Sequence, residues 1–127
     1  MANFSDGLVL SYPTTSDLSG SAYCAVELTS AGKVALLADG DSIALGILTD
    51  NVADGSTTEA MVSVQLTGVA KMKAGATITL GTNLAVMATT GGEATTATTG
   101  KYAIGIPLAT TVDNDVFEVL IDRFMVN

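Results

Sequence analysis

Any chemistry in this chain has to come from carboxylates, hydroxyls and one thiol, because its 127 residues include no histidine. That removes the commonest general base and the usual partner of a nucleophilic serine or cysteine. Serine and threonine are plentiful, but they lie in turn-like runs without G-x-S-x-G or S-x-x-K spacing. The single cysteine, Cys24, stands in SAYCAVEL beside alternating apolar residues. It reads as a small core side chain rather than an activated thiol, and it has no second cysteine to pair with.

Carboxylates come in three close pairs, Asp39/Asp41, Asp50/Asp54 and Asp113/Asp115. All sit in turn-like sequence, where aspartate bonds its own local backbone, so they read as turn formers. A looser oxygen-ligand site at the first or last pair is the lesser alternative. DNVADGSTTE (50–59) has the acidic look of a calcium loop through Asp50, Asp54, Gly55 and Glu59. The EF-hand spacing fails, however, because its third position is Val52 and its twelfth is not acidic. No glycine loop follows a strand and opens a helix to cradle phosphate. Lys71 and Lys73 share one face of VAKMK and read as guards of an edge strand. These residues predict no catalytic site, no metal site and no cofactor; the chain reads as a protein that is not an enzyme.

Composition narrows the partners. Thirteen acidic residues oppose five basic ones, a net charge of −8, which disfavours nucleic acid and anionic membrane surfaces. The acidity reads as solubility. Hydrophobic residues make up 48% of the chain, enough to build a core in one domain of this length. The start, MANFSDGLVLSY, lacks the basic region of a secretion signal, and no run approaches the roughly 20 apolar residues of a membrane helix. The expectation is a protein made and kept soluble in a cytoplasm.

The elements are strands. MVSVQL (61–66) alternates strictly, and FEVLID (117–122) turns Phe117, Val119 and Ile121 one way and Glu118 and Asp122 the other. LVLSY (8–12), CAVEL (24–28), VALL (34–37), IALGIL (43–48), VAKMK (69–73), TITL (77–80), LAVM (84–87) and YAIGIPL (102–108) are further candidates, with Asp- and Gly-rich turns between them. The fold class is all-β, a compact sandwich or barrel of short strands.

One phrase is written twice, IALGILTD at 43–50 and YAIGIPLA at 102–109. VALL and LAVM precede the two copies, which predicts related halves at 21–67 and 68–127. Residues 1–20 are then an N-terminal arm or first strand, and residues 88–101 an exposed Thr-rich loop, read as a projecting hairpin in preference to a flexible loop. Gly46 and Gly105 mark a bend or close approach where the halves meet, and Pro107 places its strand at an edge or bend. Phe4, Leu8, Leu10 and Tyr12 fall on one face of an extended segment. That segment is either the first core strand or an arm laid on a partner sheet.

An early G-x-V-x-x-Y-like strand (Gly7–Tyr12), a strand running into a small-residue turn (Ala25–Val34), a glycine phrase (Ala44–Ile47) and a V-x-V strand (Val62–Leu66) follow one another. The latter part is echoed at Ala103–Ile106 and Phe117–Ile121. This cadence resembles the small capsid decoration proteins of tailed bacteriophages, also called cement or head-stabilising proteins, and most closely an uncharacterised phage head family. The resemblance implies a virion protein on the outer capsid surface, synthesised in the host bacterial cytoplasm. It implies a homotrimer at three-fold or quasi-three-fold points whose partner is the major capsid protein. On that reading Phe4, Leu8, Leu10 and Tyr12 are the capsid-binding residues and 88–101 faces outward. The alternative is a head-fibre or tail-fibre receptor-binding module; a shell or tube subunit and an enzyme using carboxylates alone are more distant rivals.

Overall fold

The computed structural model describes residues 7–50, 61–81 and 84–127. Five strands from the first part of the chain form one antiparallel sheet: β1 (Val9–Pro13), β2 (Ala25–Leu28), β3 (Val34–Leu36), β4 (Gly46–Leu48) and β5 (Met61–Gln65), in the order β1-β5-β4-β2-β3. Five from the second part form another: β6 (Val69–Lys73), β7 (Val86–Ala88), β8 (Ala94–Thr96), β9 (Tyr102–Pro107) and β10 (Val116–Met125), in the order β6-β10-β9-β7-β8. The sheets pack as a sandwich and neither closes into a barrel. Each nevertheless curls until its outer strands meet at one parallel bridge, Thr14 with Val34 and Ala74 with Ala94.

The second sheet repeats the strand order of the first, and the correspondence extends to single hydrogen bonds. Val26, Glu27 and Leu28 pair with Leu36, Ala35 and Val34; sixty positions on, Val86, Met87 and Ala88 pair with Thr96, Thr95 and Ala94. The Leu37 N–H donates to the Ala25 carbonyl as the Ala97 N–H does to Ala85, and Thr15 donates to Val34 as Gly75 does to Ala94. The turn after β2 has Gly32 at φ 77, and the turn after β7 has Gly92 at φ 78. In the later strands Val26 faces Gly46 where Val86 faces Gly105, and Thr49 donates to Ser63 where Leu108 donates to Glu118.

This register corrects several expectations. The counterpart of VALL is the segment at 94–97, not LAVM, which matches residues 24–27 instead. Residues 88–101 do include a hairpin, β7 turning through a 3-10 turn (Thr90–Gly92) into β8, but it is packed rather than projecting, with Ala94 fully buried. β1 corresponds to β6 and so falls inside the repeated order. TITL forms no strand and contributes only the bridge from Ile78 to Thr111.

Gly46 and Gly105 are explained by close approach within each sheet rather than between the halves. A Cβ on Gly46 would lie 2.2 Å from the Gln65 carbonyl oxygen, and one on Gly105 2.2 Å from that of Leu120. Pro107 lies on an inner strand, not an edge. It stands where Leu48, in the first sheet, donates its N–H to Cys24. Without that donor the β7–β9 ladder shrinks to the single pair Val86–Gly105, against two pairs between β2 and β4.

Among the described residues, two apolar clusters form the core. Leu18, Val26, Val34, Leu48, Val62 and Val64 form a core within the first sheet. The larger cluster contains Met72, Ile78, Val86, Phe117 and Val119 of the second half together with Ala25, Leu37, Ala44 and Ile47 of the first. Those four residues join the halves. Arg123 fastens the joint: its Nε donates to the Ala44 carbonyl at 2.9 Å, and its terminal nitrogen to Leu45 and Leu66, both at 2.8 Å.

Candidate functional site

The first of the acidic pairs that sequence singled out is engaged in local structure. The Asp41 N–H donates to the Asp39 carboxylate at 2.9 Å, closing a local turn, and the Asp41 carboxylate pairs with Lys101. Asp113 and Asp115 flank Asn114, whose φ of 72 makes the tight turn into β10. Asp54 and Glu59 lie outside the described residues. Among the described residues, no three of His, Cys, Asp and Glu come together. Cys24 is buried, and burial, followed by the nearby Glu93 carboxylate, pushes its thiol up to about 11. A neutral, enclosed thiol is a poor nucleophile.

What the surface offers instead is apolar area. Leu8 is 52% and Leu10 42% exposed, on and just before β1. Tyr12 turns inward and packs against the first core, so it is less available than Leu8 and Leu10; Phe4 lies outside the described residues. Among the described residues, β1 pairs only with β5 through its ladder. The Leu8 carbonyl accepts from Leu66, and the alternation of an antiparallel strand then aims the backbone groups of Val9 and Ser11 at the open edge. Pro13 follows on the same side and supplies no N–H, a common device on sheet edges.

A second apolar area lies on the outward face of the second sheet. Val69 pairs with Leu120 and Leu120 with Ile106, so three apolar side chains form a row across β6, β10 and β9. Leu120 is 40% and Ile106 37% exposed, and Leu108 and Val116 extend the patch along the strands. Sequence reading overlooked this face because it grouped β10 by Glu118 and Asp122. The signal was Leu120 standing between them.

A crevice of about 320 Å³ opens beside this row, where the two halves meet. Tyr23, Thr49, Asp50 and Gln65 line it from the first half, and Val69, Ala70, Lys71 and Glu118 from the second. The Lys73 N–H donates to the Tyr23 carbonyl across the joint at 2.9 Å, and Tyr23 holds φ 68 to present it.

No curated protein and no solved structure matches the chain. The sequence model of one family, described as phage cement protein, does match, over residues 5–122. A model that spans nearly the whole of this acidic all-β sandwich shows the family: the chain belongs to the phage cement protein family.

Proposed function

We propose that the protein binds the outer surface of an assembled, expanded phage capsid and stabilises it as a homotrimer at three-fold or quasi-three-fold points. The observation that carries this reading is the half-exposed apolar surface on a domain from the cement family: Leu8 and Leu10 at the edge of the first sheet, and Ile106, Leu108 and Leu120 on the face of the second. Contiguous exposed apolar area marks interaction sites, and the chain's net charge of −8 points away from nucleic acid as the partner. The capsid contact is assigned to the N-terminal side of β1 around Leu8, with the major capsid protein as partner. Binding only the expanded lattice stabilises that lattice by mass action, and many identical contacts add through multivalency. The role is mechanical, without a cofactor.

The test is sedimentation. Purified protein is expected to pellet with expanded heads and to remain in solution with immature ones, and Leu8→Glu is expected to weaken pelleting at least tenfold. A protein that ignores expanded heads sinks the reading. Spontaneous tubes or shells in the absence of heads favour a shell subunit instead.

A further inference from the structure

Five exposed apolar side chains, Val9, Leu10, Ile106, Leu108 and Leu120, occupy positions that match those at which the two halves of the chain meet. Within the chain, the first half presents Ile47, Thr49 and Gln65 towards the second, which answers with Val69, Ala70 and Lys71. The matched ladders carry each of these to a counterpart: Ile47 pairs with Gln65 as Ile106 pairs with Leu120, and Val69 pairs with Leu120 as Val9 pairs with Gln65. Ile106, Leu108 and Leu120 are thus the second half's version of the first half's covered face. Val9, Leu10 and Ser11 are the first half's version of β6.

Burial separates the two versions. Ile47 is 0% exposed and Ala70 3%, whereas their counterparts Ile106 and Leu10 are 37% and 42% exposed. The side chains also differ in kind. Thr49 and Gln65 correspond to Leu108 and Leu120, Asp50 to Ala109, Lys71 to Ser11 and Glu118 to Ser63. Every charge lining the internal crevice is replaced by a neutral residue in the exposed version, and loss of charge is the compositional mark of an interface core.

We propose that a second copy of this chain covers both exposed faces, Ile106, Leu108 and Leu120 of one copy packing on Val9 and Leu10 of the next as the first half of each chain packs on its second. The contact is head-to-tail, since its two sides are different surfaces, and repetition of one rotation closes such contacts into a ring. Three chains place six related sheets around that ring. Pro13 stands where Lys73 donates to Tyr23 in the internal joint, so side chains rather than that backbone bond carry the contact between copies. The inference rests on the trimer reading above and supplies its interface; it assigns Val9 and Leu10 to the neighbouring copy and leaves Leu8 to the capsid.

Two variants test it, Leu10→Asp and Ile106→Asp, each altering one side of the contact at an exposed position. By light scattering after gel filtration, the unaltered chain is expected to run as a trimer and each variant alone as a monomer. An equimolar mixture retains one intact pair of faces and is expected to run as a heterodimer. A monomeric unaltered chain, a folded variant that keeps the trimer, or a mixture that stays monomeric overturns the proposal. Thermal unfolding reports whether the variants fold; if either fails, Leu10→Ser and Ile106→Ser replace them, with a tenfold weaker trimer expected and unchanged trimer affinity overturning the proposal. Sedimentation with heads separates this from the capsid reading. An unaltered chain that is monomeric yet binds expanded heads sinks the ring alone, and an unaltered trimer that ignores heads sinks the capsid reading alone.

Discussion

At Gly46 and Gly105 one atom decides what the backbone tolerates. A Cβ at either position would sit 2.2 Å from a carbonyl oxygen of the adjacent strand and under 3 Å from a valine methyl, Val64 or Val119. Neither obstacle is a flexible side-chain tip, so the strand itself would have to move. Gly105→Ala is expected to cost about 2–3 kcal/mol, in the range of overpacked cores, and to lower the thermal midpoint by several degrees; an unchanged midpoint would contradict the close approach. Cys24 makes a second prediction at this scale. Its thiol is raised from near 9 to about 11 in the folded chain, so on raising the pH the unfolded chain loses its proton first. The contribution to stability is complete below about 8.5 and is lost as pH climbs towards 11. Cys24→Ala should flatten that alkaline slope in urea midpoints measured from pH 8 to 11. Alkylation of native Cys24 at pH 8 should be far slower than in urea.

Among the elements, β10 is the longest, and its register shifts between Ile121 and Phe124. The irregularity frees Arg123 from the ladder and lets it reach back to the carbonyls of Ala44, Leu45 and Leu66. Three acceptors at two strand ends suit a planar guanidinium and not a point ammonium. Arg123→Met is therefore expected to cost about 3 kcal/mol, since bonds to a charged group are worth about 1.5–3 kcal/mol each and do not add fully. Arg123→Lys should recover less than half of the loss in urea unfolding; full recovery would reduce the role to charge. Sequence showed the strands whose alternation is strict, β5 and the body of β10, and it showed the doubled glycine phrase. It hid β8, because Ala94, Thr95 and Thr96 offer no large apolar periodicity and gain their place only by pairing with β7. It showed Leu8 and Leu10 of the exposed apolar surface. Ile106 and Leu120 were obscured because their exposure depends on which sheet face the other half covers, a tertiary fact that no local pattern encodes.

Over the whole molecule, the two halves are alike in topology and unlike in dependence. The first sheet has a core of its own around Val26, Val62 and Val64, whereas the second shares its core with Ala25, Leu37, Ala44 and Ile47. Ile47 and Leu37 are the two large side chains among these, and Ile47 is fully buried, so it couples the stability of one sheet to the packing of the other. The intact chain should unfold in one cooperative transition, as domains of this size usually do. Ile47→Ala is expected to cost about 2–4 kcal/mol by transfer and cavity terms together, and to fall unevenly. Hydrogen exchange followed by mass spectrometry should show β9 and β10 amides losing most protection, while β5 amides, backed by Val62 and Val64, lose less. Val64→Ala makes the converse case, because its cluster lies wholly in the first half, and β5 should then open before β10. If both variants lower protection equally in both sheets, the molecule has one core rather than two joined ones, and the four-residue joint is not where the coupling resides.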